Sequence, residues 1–501
     1  MNGKLTTCFI LIALMLGLSS CYKEITVYDS EPTNDLHLPV LIKLNGKDCF
    51  FDSKSNMLRY SISKDSLTVF SPVVNFMNTS EIYFHTIKLT NNRINHLGNV
   101  QIGKPYPLKI ISNGIEKKVD LIFTNLSIVQ VISDSPFYDE PKSLARVTIG
   151  DPHSRTDFSS YAGIEIRGNF SRGFDKKSLG FCLWKDPKST IDYSASLLSI
   201  SDNCEWILNS SIIDPSRIRN LVSIELWNSL NTPGTTKKCH LGVKSILVEV
   251  FINNSFHGIY TFSEKLNKEF LDATNDAVLY KAIDWANGGT TFDGLIPPLS
   301  PNNYWNGWKQ EVPDIKERIN WKPLFDLSEL VMNGSNEAFL ASIEKSIDLD
   351  VLIDYYLLLN LTSAYDNVGK NTFLLKENTD AAFLIIPWDL DGSWGINYDG
   401  SRTGYESILK NHLYDRLHKI NPLNYREKVK ERWQYLRTHQ FSQENLFQHF
   451  GKYFQKFNSS DIIQKENQVW KLNLNMVEEQ DYMEYWISHR LEFLDQHFQN
   501  Y

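Results

Sequence analysis

Asp389 and Asp391, within Pro387-Trp388-Asp389-Leu390-Asp391, are the side chains whose setting most invites chemistry. They stand at the exit of the apolar run Ala381-Ala382-Phe383-Leu384-Ile385-Ile386, which reads as a buried β-strand. Carboxylates at the mouth of a buried strand are costly unless a cation compensates them. Hard divalent cations prefer carboxylate oxygens, so a metal is the natural compensation. A second polar knot, Asp366-Asn367-Val368-Gly369-Lys370-Asn371, begins 23 residues upstream of Asp389. Together the two segments point to a metal–nucleotide site, and so to phosphoryl transfer.

Several elements must position these loops. Asp350 to Leu361 is apolar on most sides and is expected to be a buried helix. Asn371 to Lys376 and Ala381 to Ile386 follow as two short strands. Further upstream, Pro215 to Leu230 has apolar residues at spacings of three and four, with proline suited to the first turn. Strands surround it, around Arg167-Gly168-Asn169, over Ser245 to Ile252 and over Gly258 to Phe262. The Gly-, Pro-, Asn- and Trp-rich block from Asp284 to Pro323 is expected to be irregular, a candidate lid. Beyond Tyr405 the chain is expected to be mostly helical, ending in a helix over Glu478 to Phe498.

This order mirrors that of a protein kinase. There an Asp is followed five residues later by an Asn, and a metal-binding Asp comes after a hairpin. Asp366 and Asn371 have that spacing, and Asp389 or Asp391 sits where the metal Asp is needed. The first Asp would accept or orient the attacking hydroxyl; the Asn and the later Asp would hold magnesium against the phosphates. Taken alone, Asp-x4-Asn also suits a strand-capping turn. The acid pair alone also suits a calcium-stabilised or merely solvated strand end. The two in order are more specific than either. Glycoside hydrolysis also uses two carboxylates, but this pattern suits a metal better.

Composition sets the frame. The 501 residues suffice for two or three domains, and 42 % hydrophobic residues suffice for a sizeable core. The net charge of −8, with no Lys/Arg-rich run, argues against nucleic acid as a partner. Residues 1–21 read as a targeting segment, with Lys4, an apolar stretch from Phe9 to Leu18, and Leu18-Ser19-Ser20-Cys21. This resembles a bacterial lipoprotein signal. The mature chain is then expected to begin at a lipidated Cys21, anchored to a membrane without spanning it. That places it in the bacterial cell envelope, at the outer membrane or cell surface. Residues 22–36 are polar and expected to be a tether. Residues 37–132 carry short β-type runs, among them Leu67-Thr68-Val69-Phe70, with turns such as Asn45-Gly46 between several of them. They are expected to form a small β-sandwich-like spacer domain. Cys49, Cys182, Cys204 and Cys239 then remain; none has CxxC spacing, so no zinc site is expected.

Residues from Ala162 to Asn397 resemble the CotH kinase family, atypical kinases akin to a spore-coat protein. The resemblance rests on Ile166-Arg167-Gly168-Asn169-Phe170-Ser171 with Lys176-Lys177-Ser178, and on Asp214-Pro215-Ser216-Arg217-Ile218-Arg219-Asn220. It continues through Val250-Phe251-Ile252-Asn253-Asn254 with Gly258-Ile259-Tyr260 and Glu264. Asp366-Asn367 with Lys370-Asn371, and Pro387 to Asp391, complete it. It implies an α+β chain whose residues 133–501 form an atypical, two-lobed kinase-like domain. It also implies that ATP and Mg2+ (or Mn2+) serve to phosphorylate Ser or Thr on an exported protein. Under it Asp366 is the catalytic carboxylate, helped by Asn371, and Asp389 binds the metal with Asp391 and Asn371. Arg167 and Lys176 or Lys177 contact phosphates, and Glu225 or Glu264 fixes the lysine.

Departures from ordinary kinases are plain. Ala364-Tyr365 replaces His-Arg before Asp366, no Ala-Pro-Glu follows Asp391, and no Gly-x-Gly-x-x-Gly is present. Gly168 to Gly173 spans a phosphate-loop length, but Phe174-Asp175 stands where Lys-Ser/Thr is required, which excludes a Walker loop. Each Lys, Arg and Glu also has a plain alternative as a salt-bridge partner. For the whole chain the alternative is a non-enzymatic surface or coat-assembly protein on a kinase-like scaffold. It would bind a partner through the aromatic-rich stretch from Trp285 to Trp321.

Overall fold

The computed structural model describes residues 41–168, 170–188, 191–230, 240–298 and 302–501. Cys21, the tether, Cys239 and Asn169 lie outside the described residues. Helices and strands are both abundant, so the chain is α+β as expected.

Short alternating segments near the start build two sheets, of four and six strands. Along Pro105–Ser112 buried and exposed side chains alternate, which turns Tyr106, Leu108 and Ile110 inward. They join Leu58, Val74, Ile82 and Phe123 in one core. Leu67-Thr68-Val69-Phe70 is not a strand: Val69 adopts φ 58° and is exposed, so the apolar run turns instead of extending.

Nor is this unit a free-standing spacer. Lys465 donates to Asp52 at 2.7 Å, with both side chains buried. Arg59 reaches Asp461 at 2.5 Å and Glu249 at 3.3 Å. These bonds tie residues of the first sheets to the C-terminal helix Ile462–Trp470 and its N-cap, and to the following barrel.

The barrel is closed and seven-stranded. Its strands are Ser127–Ile132, Ser143–Gly150, Phe158–Arg167, Ser178–Trp184, Glu205–Asn209, Ser255–Glu264 and Ser245–Ile252, in order around the wall. Ser127–Ile132 pairs in parallel with Ser245–Ile252 to close it. That strand, assigned from sequence to the first unit, therefore belongs to the second. The barrel interior is packed by Val129, Val147, Ile164, Phe181, Val250 and Phe262, among others.

The helix expected from Pro215 begins at Arg219 and ends at Asn228. Residues 214–217 form a turn instead, with Arg217 at φ 64°. The irregular block also proves more ordered than its composition suggests. Trp308–Val312 pairs with Val278–Ala282, which pairs with Thr372–Lys376, which pairs with Leu384–Pro387. Trp305, Trp308 and Trp321 are buried there, leaving Trp285 and Tyr304 as its exposed large aromatics. The expected buried helix is Leu349–Thr362, started by the Asp348 side chain on the N–H groups of Asp350 and Val351. C-terminal helices complete the core, the last being Met476–Gln499. Among the described residues no helix is long and apolar enough to cross a membrane. Cys49, Cys182 and Cys204 are free thiols.

Candidate functional site

The Leu349–Thr362 helix stops at Ser363, which turns left-handed at φ 54° and delivers the chain into a single 3-10 turn, Tyr365–Val368. Asp366 sits on that turn and receives Lys370 Nζ at 2.9 Å. Asn367, one residue on, is buried and points the other way. Its amide donates to the carbonyl oxygens of Asn371 and Trp388, each at 2.8 Å. The Trp388 N–H also donates to Asn371 O at 3.0 Å, and Asn371 N–H donates to Ala282 O at 3.0 Å. One side chain thus staples the Asp366 loop to the Asp389 loop.

The second loop is held from beneath. Asn220 Oδ1 accepts the Leu390 N–H at 2.8 Å. Arg219, fully buried, donates to Ser393 O at 3.0 Å and pairs with Asp214 at 2.5 Å and Glu479 at 2.6 Å. Asp214 in turn accepts the N–H groups of Ser216 and Arg219, which explains why the helix starts late. The Asp214 to Asn220 segment is therefore a cradle for the acidic loop. Asp389 itself has φ 55°, a left-handed backbone that turns the chain out of the strand.

The acids feel one another. Burial raises the Asp389 pKa; Lys281 and Arg167 oppose this, and the Asp366 charge adds to it. Asp391 is pushed well above the usual carboxylate range by burial first, then by Asp389 and Asp214, with Asp366 contributing. The Gly392 N–H, donated to Asp391 at 2.9 Å, pulls the other way. Asp366, Asp389 and Asp391 thus share one electrostatic neighbourhood with Arg167 and Lys281. Among the described residues, Asp389 makes no ion pair with either cation within 4.0 Å, so the charges interact across a gap.

No group of three or more His, Cys, Asp and Glu side chains among the described residues forms a self-sufficient metal cage. Magnesium is usually held by one or two carboxylates together with substrate phosphates and waters. Two hard-oxygen carboxylates crowded enough to repel one another fit that mode, because a divalent cation relieves the repulsion. Asp389 and Asp391 are the residues that would hold it.

Other expected site residues lie elsewhere. Lys176 is fully buried and donates to Glu466 at 2.6 Å, Ile259 O at 2.6 Å and Ser210 O at 3.1 Å. Its donors are spent inside the protein, so it is not a phosphate contact. Its acid partner is Glu466, not Glu225 or Glu264. Glu225 accepts from Tyr453 at 2.5 Å and Lys452 at 2.7 Å, joining two helices. Glu264 accepts the Lys244 N–H at 2.9 Å within the barrel wall. Lys177 donates to Arg172 O at 2.6 Å, holding the short Phe170–Gly173 turn. Trp388 packs edge-on against Phe373 at 5.6 Å and flanks the core.

Sequence reasoning missed Lys281, and it quoted Asn367, Arg219 and Asn220 without their supporting roles. Lys281 did leave a signal: a single lysine inside the apolar run Ala277-Val278-Leu279-Tyr280-Lys281-Ala282-Ile283. Burial lowers its pKa to about 8; Arg167 adds to the effect, and Glu311 and Asp389 oppose it.

Comparison with known proteins shows which family the chain resembles. The chain is 24 % identical over 248 residues to the inner spore coat protein H of Bacillus subtilis (strain 168), covering 49 % of this chain and 62 % of that protein. It thus spans less than two thirds of that relative's length. Residues 164–494 match the family profile described as CotH kinase protein, from the barrel strand that carries Arg167 to the last helix. With more than half of its length inside that match, the chain belongs to the CotH kinase family.

Proposed function

We propose that this chain is an ATP-dependent atypical protein kinase that phosphorylates Ser or Thr on an exported or surface protein. The observation that carries the reading is the junction of the two acidic loops: Asn367, next to Asp366, donates to the carbonyl oxygens of Asn371 and of Trp388, next to Asp389, at 2.8 Å each. Asp366 orients the acceptor hydroxyl and takes its proton as the oxygen bonds to the γ-phosphorus and the bond to ADP breaks. Lys370, 2.9 Å from Asp366, steadies that carboxylate. A bound Mg2+ or Mn2+ would supply charge neutralisation for the phosphates; Asp389, Asp391 and Asn371 are its proposed holders. Asn371 and Asp389 both have left-handed backbone, and the Trp388 N–H joins the second loop to Asn371 O at 3.0 Å. Cys21 is the proposed lipid anchor to the bacterial envelope, the protein substrate being met at or beyond that membrane.

The test is transfer of labelled phosphate from ATP by the purified chain, with wild type beside Asp389→Ala and Asp366→Asn. Loss of a charge-stabilising or metal contact costs ~10²-fold or more in rate. Equal incorporation by wild type and both variants overturns the reading.

A second reading is a coat-assembly or surface protein on a kinase-like scaffold. Its support is that the Bacillus subtilis relative is an inner spore coat protein, together with the exposed stacked pair Trp285–Tyr365 beside Asp366. Calorimetry separates the two: no heat with millimolar ATP and magnesium, from a folded protein, favours this second reading.

A further inference from the structure

Several cations around the barrel close onto acids. Arg172 reaches Asp139 at 2.5 Å, and Lys265 reaches Glu205 at 2.7 Å. Lys142 lies 3.9 Å from Glu205 and 4.0 Å from Glu165. Arg146 and Lys185 differ: among the described residues neither has an acid within 4.0 Å. Both line one open cleft of about 430 Å³, together with Ser159, Ser160, Tyr161 and Tyr193. Its lining among the described residues holds two cations, hydroxyls and aromatic rings, and no carboxylate. A cleft of that size falls within the ~300–1,000 Å³ of small-ligand sites and exceeds what one inorganic anion fills.

Three neighbouring strands build the cleft. Arg146 on Ser143–Gly150 stands directly opposite Tyr161 on Phe158–Arg167, and Tyr161 stands opposite Trp184. The Trp184 indole leans along the wall onto Gly163, on the side away from Ser159. A Cβ at Gly163 would fall 2.0 Å from that ring, so glycine there is what lets the indole lie clear of the Ser159 side. Arg146 Nε donates to Ser159 Oγ at 3.0 Å, and its guanidinium sits over the Tyr161 ring at 5.7 Å. These two contacts aim the fork while the terminal nitrogens keep their donors. Beyond Trp184 the chain doubles back. Lys185 N–H donates to Ile191 O at 3.0 Å, and Tyr193 N–H donates to Leu183 O at 3.1 Å. This return brings Lys185 and Tyr193 to the cleft, where the Tyr193 hydroxyl donates to Ser160 Oγ at 2.7 Å.

We propose that this cleft binds an acidic sugar, a hexuronate unit of a polysaccharide, through Arg146 and Lys185. The guanidinium fork matches a carboxylate, and Lys185 supplies a second cation. The Tyr161 ring offers an apolar surface to the C–H face of a pyranose. Ser159, Ser160, Tyr161 and Tyr193 carry hydroxyls that donate and accept, as sugar hydroxyls do, which favours a sugar over an acidic peptide. Tyr161 lies six residues from Arg167 along one strand, roughly 20 Å at 3.3 Å per residue. The cleft is therefore separate from the acidic loops, and the proposal does not depend on the kinase reading.

Isothermal titration of the full chain tests it, with trigalacturonate, the neutral sugar maltotriose and the acidic peptide hexaglutamate as separate probes. Loss of one charge-assisted contact corresponds to about a 10- to 100-fold rise in Kd. Arg146→Gln and Lys185→Gln are each expected to weaken trigalacturonate by that factor, and Lys185→Arg to keep most of the affinity. Wild type is expected to bind maltotriose and hexaglutamate at least about tenfold more weakly than trigalacturonate. Asp389→Asn is expected to leave trigalacturonate binding unchanged. Both cations are exposed, so their variants are expected to fold, and circular dichroism checks this. A wild type that does not bind trigalacturonate at millimolar concentration overturns the assignment, as do folded Arg146→Gln and Lys185→Gln variants that bind it as wild type does. Maltotriose or hexaglutamate bound as tightly as trigalacturonate overturns it too, and so does loss of the sugar in Asp389→Asn.

Discussion

Asn367→Leu removes the staple between the two functional loops while keeping nearly the same volume. Asn367 is buried, and its amide serves the carbonyls of Asn371 and Trp388. Asn371 O keeps the Trp388 N–H. Trp388 O loses the one donor recorded for it among the described residues. An orphaned buried carbonyl costs about 1–3 kcal/mol, and the second lost bond about 1 kcal/mol. The expected sum is ~2–4 kcal/mol, concentrated at the two loops. At about 1.4 kcal/mol per tenfold, amide exchange over residues 365–372 and 387–392 should quicken by ~30-fold to several hundred-fold. Hydrogen–deuterium exchange with peptide-level readout measures this, with the first-unit strands as the internal control. Asn367→Asp sharpens the argument, because it keeps the shape but replaces the donor with an acceptor. It should loosen the loops at least as much as Leu. Unchanged exchange in both loops for either variant would refute the idea that this amide joins them.

Three further perturbations follow from the buried charges. Glu466→Gln leaves Lys176 and Arg217 facing each other without their shared anion. Breaking such a network costs ~3–5 kcal/mol, read as a lowered unfolding midpoint, and a shift under 1 °C contradicts it. Lys465→Met strands the Asp52 carboxylate, whose pKa is lowered chiefly by Lys465 against the opposing effect of burial. It should loosen the first sheets from the C-terminal helices and split the thermal transition; a single unshifted transition counts against that docking. His257 is held neutral by burial, then by the Lys176 charge, with its pKa lowered to about 3 from 6.5. The unfolded chain takes up that proton first, so stability falls as pH drops below about 6.5 toward 3. Between pH 7.5 and 5.5 this amounts to ~1.4 kcal/mol. The difference between wild type and His257→Gln over that range isolates it, and parallel curves refute it.

Much of this site could be read along the chain because its signals are local. A buried strand that ends in two carboxylates betrays itself within ten residues, and so does an apolar helix that ends in a polar knot. Lys176 and Lys177 misled for the opposite reason. Lys176 finds its partner, Glu466, 290 positions away on a C-terminal helix. Glu225 likewise answers to Lys452 and Tyr453. No spacing rule reaches that far. Pro215 suggested a helix start because proline suits a first turn. The Asp214 carboxylate overrides that preference by taking the Ser216 and Arg219 N–H groups. Gly and Asn between Asp284 and Pro323 hid the Trp308–Val312 strand, whose buried positions alternate with half-buried ones. Lys281 was hidden because strand periodicity hands it to a core face, where a single lysine looks like noise.

Electrostatics separates architecture from chemistry here. Where this protein uses charge to hold itself together, the charges close to contact: Arg219 with Asp214 at 2.5 Å, Lys176 with Glu466 at 2.6 Å, Lys465 with Asp52 at 2.7 Å. Closure is what a stable interior demands, since an open buried pair bears desolvation without full Coulombic return. Arg167, Lys281 and Asp389 break that habit, standing near enough to shift one another's titration yet not joined. A pure scaffold has no use for such an opening. A side-chain rotation that sealed Lys281 onto Asp389 would stabilise the fold and abolish any ligand's place between them. Asp389→Asn or Asp391→Asn, by contrast, relieves the crowding among the acids and should stabilise the interior or leave it neutral while eliminating nucleotide affinity. Stability and affinity that move in opposite directions in these two variants are what a binding site predicts. Joint loss of both would mean that the gap is structural.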